Sequence, residues 1–131
     1  MKYQTKEKSF ETVDKGSYSG HVMWKDYVIK NEYDWKDLWD TTTGIYTPKP
    51  KVPEINFSNE MIIAVYRGQC ATGGYGIEIK KLIENKKSIE VLVEEHFPKP
   101  GYMYTQAFTQ PYHIIKTKTT KKKVKFKRVK E

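Results

Sequence analysis

The side chains able to do chemistry are few and widely separated. Cys70 is the one thiol, and His21, His96 and His113 are the three imidazoles that could activate it. A nucleophilic cysteine needs a base within hydrogen-bond reach and a recognisable local setting. No catalytic-cysteine signature surrounds Cys70, so it reads as a partly buried structural thiol. Zinc needs ligands at short spacing, and no histidine here has an H-x-x-x-H or cysteine partner nearby, so no metal is expected. Glu78, Glu90, Glu94 and Glu95 could supply a carboxylate pair for glycoside chemistry. They alternate with lysines as a solvated face does, and nothing selects a pair. The residues assign no catalytic group and no cofactor, and the chain is expected not to be an enzyme.

The stretch from Gly68 to Gly76, Gly-Gln-Cys-Ala-Thr-Gly-Gly-Tyr-Gly, has the composition of a tight, shaped loop. Gly68, Gly73 and Gly74 would admit backbone angles that a β-carbon penalises. It is not a phosphate cradle. The G-x-G-x-x-G spacing and the G-K-[ST] run are missing, and no helix follows to point a positive end at an anion. A structural turn or a contact loop for another protein remains.

Charge is distributed unevenly. The chain carries 24 Lys and Arg against 16 Asp and Glu, for a net charge of +8. Nine of those bases and one of those acids fall from Lys116 onward, so residues 1–115 hold fifteen of each and are neutral. Lys121, Lys122, Lys123, Lys125, Lys127 and Arg128 could neutralise the phosphates of a nucleic acid or another anionic surface. Val124 and Phe126 alternate with these bases, however, and lysines commonly guard an edge strand against unwanted pairing. No stacking-aromatic motif of the RNA-recognition type is present.

These residues must be positioned by strands. Met61-Ile62-Ile63-Ala64-Val65-Tyr66 has the length and β-branched content of a strand buried on both faces. Tyr75, Ile77 and Ile79 point one way and Gly76, Glu78 and Lys80 the other, so residues 75–83 pair with the alternating run 89–95 as an antiparallel hairpin. Lys8 to Val13 predicts a short strand closed by Asp14-Lys15-Gly16-Ser17. Tyr102 to Phe108 predicts a tyrosine-rich strand. Tyr112 to Lys116 predicts another, joined to the basic strand by a hairpin turn at Lys118-Thr119-Thr120-Lys121. Asp34 is read as a helix N-cap, with Trp35, Leu38 and Trp39 covering one edge of the core until Thr41-Thr42-Thr43-Gly44 stops the helix. Pro48, Pro50 and Pro53 mark an extended connector.

At 131 residues the chain is read as a single β-rich domain, 1–131, large enough for one core. Ten tyrosines and three tryptophans favour packing over disorder. One cysteine excludes an internal disulfide framework, no apolar run resembles a signal peptide, and no stretch reaches membrane-spanning length. The expected fold is mainly β: an antiparallel sandwich or partly open barrel of about seven to nine strands with one short helix near 34–40.

Three segments carry a family resemblance: Ile55-Asn56-Phe57-Ser58-Asn59-Glu60-Met61, Thr72-Gly73-Gly74-Tyr75-Gly76-Ile77-Glu78-Ile79, and Thr109-Gln110-Pro111-Tyr112-His113-Ile114-Ile115-Lys116. Together they resemble the PrcB C-terminal domain family, over a core of about 55–126 followed by the basic edge strand and tail, 116–131. Trp35-Lys36-Asp37-Leu38-Trp39 is similar to the short tryptophan-bearing helix that precedes that domain. The resemblance implies a non-enzymatic module, in exported or surface-anchored bacterial proteins, that stabilises or assembles a protease. Ala71-Thr72-Gly73-Gly74-Tyr75 also resembles, with an extra glycine, the T-G-Y loop of chagasin-like cysteine-protease inhibitors.

The function expected is therefore protein binding, toward a protease or other secreted enzyme. Thr72, Gly73, Gly74, Tyr75, Pro111, Tyr112 and His113 are the candidate contact residues, gathered at one end of the sheet. Inhibition of the chagasin type and binding of an anionic partner by the lysine-rich end are the alternatives.

Overall fold

The computed structural model describes residues 4–130; Met1, Lys2, Tyr3 and the tail's last residue, Glu131, lie outside the described residues. The elements are β1 (Lys6–Lys8), β2 (Glu11–Gly16), β3 (Trp24–Ile29), α1 (Glu32–Thr43), β4 (Glu60–Arg67), β5 (Gly76–Glu84), β6 (Ser88–His96), β7 (Tyr112–Lys118) and β8 (Lys123–Lys130). The eight strands form two sheets of four, in the orders β1-β5-β6-β8 and β2-β7-β4-β3. Among the described residues the fold is a β-sandwich with one helix, and the sheets do not close into a barrel.

β4 is the centre of the second sheet, and every residue from Met61 to Tyr66 is buried. Its odd and even positions face different layers. Met61, Ile63 and Val65 meet Ile77, Ile79, Leu82, Ile89, Val91 and Val93 of the opposing sheet. Ile62, Ala64 and Tyr66 meet Trp35, Leu38 and Trp39 of α1 on the other side. The continuous apolar run is thus explained by a three-layer stack of sheet, sheet and helix. Pairing of β5 with β6 reproduces the expected hairpin, with a register slip between Ile79 and Lys81.

α1 is longer than expected. Its N-cap is Asn31, not Asp34: the Asn31 side chain accepts the Asp34 N–H at 2.8 Å. At the other end the helix stops within the expected segment Thr41-Thr42-Thr43-Gly44, with Thr43 its last residue and Gly44 its C-cap. Thr41, Thr42 and Thr43 hydroxyls donate to the carbonyls of Asp37, Leu38 and Trp39 four residues back, which satisfies them within the helix. The indoles then fasten the proline connector, Trp35 Nε1 donating to Pro53 O and Trp39 Nε1 to Pro50 O, each at 3.0 Å.

Three further expectations are corrected. The first strand breaks at Ser9-Phe10, so β1 joins one sheet and β2 the other, and β2 continues through Asp14, Lys15 and Gly16. Residues 102–108 are loop, not strand: Pro98-Lys99-Pro100-Gly101 before them and Pro111 after them deny the segment a ladder. Residues 119–122 are not a hairpin turn. They cross from one sheet to the other, and β8 pairs with β6 in parallel, Ser88 opposite Lys123 through Glu95 opposite Lys130. The crossing puts Val124 and Phe126 against the inter-sheet core, burial that a hairpin with β7 would not supply.

Candidate functional site

The loop between β4 and β5 is built from backbone contacts. Gly68 has φ of +85° and lies so close to β3 that a β-carbon would sit 3.1 Å from the Trp24 nitrogen. Gly74 needs its missing side chain for a different reason: a β-carbon there would fall 2.9 Å from Pro98 Cβ and Cγ. Gly73 faces looser packing, and neither it nor Gly74 has positive φ, so the expected left-handed geometry is confined to Gly68. Thr72 Oγ1 accepts the Gly74 N–H at 3.2 Å, closing the turn.

The two motifs of the resemblance meet here. Cys70 and Thr109 exchange backbone hydrogen bonds at 2.8 and 2.9 Å, and Thr109 Oγ1 donates to Thr72 O at 2.9 Å. The Gly73 N–H reaches Thr105 O at 3.0 Å, so the long loop 97–111 lies along loop 68–75. Cys70 is buried, and that burial pushes its thiol above the ordinary range, away from the thiolate a nucleophile requires.

Pro111, Tyr112 and His113 turn inward. Tyr112 is 4% exposed; its ring stacks on Tyr66, and its hydroxyl donates to Asp14 Oδ2 at 2.7 Å. His113 is 3% exposed, with Nε2 2.8 Å from Thr12 Oγ1 and Nδ1 accepting the Ile79 N–H at 2.9 Å. Acceptance at Nδ1 assigns the proton to Nε2, which then donates to Thr12. Burial, with the Lys15 charge nearby, holds the imidazole down at about 4, so it is neutral at ordinary pH. Their contacts are with the chain itself. Thr72, Gly74 and Tyr75 are half-buried and Gly73 is exposed, so that part of the candidate set stays at the surface.

What the sequence reading missed at this end is apolar. Val22, Met23 and Trp24 are exposed before and at the start of β3, and Tyr102, Met103 and Phe108 are exposed on the long loop. The Gln69 N–H donates to Val22 O at 3.0 Å, which brings the first group beside the glycine loop. Ala71, Thr72, Tyr75, Pro98, Tyr102, Met103, Tyr104 and Gln106 line a groove of about 390 Å³ between the loops. Reading 102–108 as a strand hid this, because alternation assigns half of its large side chains to a core. The flanking Pro98, Pro100 and Pro111 were the available signal.

Behind the apolar end, Glu95 of β6 closes the sandwich edge. It accepts Arg128 Nη1 at 2.7 Å and Trp24 Nε1 at 3.2 Å, with Arg67 Nε at 3.6 Å. Arg128 also pairs with Asp26 and lies 4.2 Å over the Trp24 ring, joining β8 of one sheet to β3 of the other. Burial pushes the Asp26 carboxyl up while Arg128 pulls it down. Among the bases considered for an anionic partner, Arg128 is thus engaged, and Lys122 Nζ donates to Glu84 and to Asn85 O at 2.9 Å. Lys121, Lys123, Lys125 and Lys127 are exposed.

The structure also joins Glu78, Glu94 and His96 on the outer face of the first sheet, a grouping the spacing did not suggest. Glu78 and Glu94 lie in strands expected to pair, so cross-strand register was the signal that would have found it.

Residues 61–118, which run from β4 through β7 and include both loop motifs, match the family model described as PrcB C-terminal. Comparisons with curated proteins and with solved structures return no match. Among the described residues, no helix is long and apolar enough to cross a membrane.

Proposed function

We propose that this chain is a non-catalytic protein-binding module whose partner is a protease or a protease-complex subunit. Its contact surface is the end formed by loops 68–75 and 97–111 and the residues leading into β3. The observation that carries the proposal is the gathering of Val22, Met23, Trp24, Tyr102, Met103 and Phe108, all exposed, on one hydrogen-bonded end. Monomeric surfaces rarely expose so many large apolar side chains together, and such patches mark interaction sites. Aromatic residues and methionine supply contact area that adapts to a partner. The match to the PrcB C-terminal family supports a protease-associated role. The commitment of both His113 nitrogens and the burial of Cys70 support binding without catalysis.

Within this reading Thr72, Gly73, Gly74 and Tyr75 shape the groove, and Tyr102, Met103 and Phe108 make the contact. Pro111, Tyr112 and His113 hold the end to the core. Binding here would stabilise an assembled protease, and occlusion of its active-site cleft is the chagasin-like variant of the same surface.

The test is photo-crosslinking from p-benzoylphenylalanine placed at Met103, compared with the same group at Lys86 in the far hairpin turn. Crosslinks from position 103 to a peptidase or a subunit of a peptidase complex, not matched from position 86, are expected. The same proteins from both positions, or none of that class from position 103, would overturn the reading.

A further inference from the structure

We infer that the outer face of the β5–β6 hairpin is a binding site for a divalent transition-metal ion of the zinc type, with Glu78, Glu94 and His96 as its protein ligands. Their donor atoms all lie within 4.8 Å of one another. His96 Nε2 is 3.6 Å from Glu94 Oε1 and 3.9 Å from Glu78 Oε1. Ligands about 2.0–2.2 Å from a tetrahedral ion stand roughly 3.3–3.5 Å apart. The imidazole nitrogen therefore sits within about 0.6 Å of coordinating separation from each carboxylate, and small side-chain rotations would bring all three donors onto one ion.

The backbone explains why. Glu78 and Glu94 are direct cross-strand partners, and His96 is the partner of Gly76. The His96 ring lies over the strand at Gly76, where a β-carbon would be in ordinary contact with Cδ2 at 3.4 Å, on the face that also carries both carboxylates. Two like charges directly opposite one another on an antiparallel face are unfavourable without a cation. Lys15 and Lys80 approach Glu78 at 3.1 and 3.5 Å, but both ammonium groups are substantially exposed and the pairs are worth little. An ion bonded to both carboxylates would displace them at small cost.

The donor set selects the ion class. Calcium and magnesium favour all-oxygen sites, whereas one imidazole with two carboxylates suits zinc and its neighbours. Three protein ligands leave a fourth position for water or for a donor from a bound protein. His96 is the last residue of β6 and Gly76 the first of β5, so the three ligands lie at the end of the hairpin that leads into the loops. The metal site itself does not depend on the binding role proposed above.

Isothermal titration of protein free of any purification tag with zinc chloride, at pH 7.5 in a non-coordinating buffer, tests this. One saturable site of micromolar affinity is expected, weakened at least about tenfold by His96→Ala and by Glu94→Gln. Titrations with magnesium and calcium chloride should not saturate at the same concentrations. His21 and His113 are buried, and urea denaturation of each variant checks that the fold is retained. Absence of saturable zinc binding, zinc binding unchanged in both variants, or equal binding of calcium would each overturn the assignment.

Discussion

Nδ1 of His113 in β7 accepts the Ile79 N–H of β5 at 2.9 Å, so one neutral imidazole ties the two sheets of the sandwich together. Ile79 adjoins the register slip of the hairpin, and its amide is turned across the sandwich instead of lying idle. Nε2 completes the bridge at Thr12 of β2. The ring is a cross-brace, and protonating it would aim an Nδ1–H at the Ile79 N–H.

A pH dependence follows. The folded imidazole titrates at about 4, below the unfolded value of 6.5. Between those values the unfolded chain binds more protons, so stability is full above about 6.5 and falls as pH drops toward about 4, by up to about 3 kcal/mol. Urea denaturation at pH 7.5, 6, 5 and 4.5 should show this loss in the wild type. His113→Gln should be less stable at pH 7.5 by about 1–3 kcal/mol, with a flatter profile. Parallel profiles for the two proteins would show that His113 does not carry the dependence.

Much of the framework was legible. The buried run Met61–Tyr66 and the alternation in 77–83 and 89–95 are local patterns whose period states which faces are covered. The destination of β8 was not, because Lys118–Lys121 has the polarity of any connection and says nothing about which sheet receives the next strand. The tyrosines of 102–108 alternate as in a strand, yet nothing local shows that no neighbour is free to pair with them. The T-G-G-Y and P-Y-H motifs were recognisable as a pair, but a pattern shared by two segments is equally compatible with mutual packing and with a common partner. That Tyr112 and His113 are buried is visible only in the packed fold.

The glycines of the loop should respond unequally to alanine. Gly74→Ala drives a β-carbon into the Pro98 ring and should cost about 1–3 kcal/mol. Gly68→Ala meets both positive φ and the Trp24 backbone, with a cost of about 1–3 kcal/mol. Gly73→Ala finds ordinary contact with Thr105 and should stay within about 0.5 kcal/mol of wild type. Denaturant midpoints for the three variants check the order, and a Gly73 variant as damaged as the other two would refute it.

Glu95 should matter more than its position at a sheet margin suggests. Its replacement by alanine leaves the Arg67 and Arg128 guanidinium groups half-buried without their shared carboxylate. A loss of about 3 kcal/mol is expected. Hydrogen exchange should show β3 and β8 opening in this variant while β4 stays protected. Unchanged exchange in β8 would mean that the clasp does not hold that strand.

The central claim is that the apolar loop end is the surface that binds. The most direct measurement is the affinity of the crosslinked partner for wild-type protein, for Met103→Asp with Phe108→Asp, and for Lys125→Glu with Lys127→Glu. All four side chains are exposed, so each pair changes the surface and leaves the core intact. The tip pair should weaken binding at least about a hundredfold, while the β8 pair stays within about threefold of wild type. Full affinity in the tip variant, or a loss confined to the lysine variant, would contradict the account.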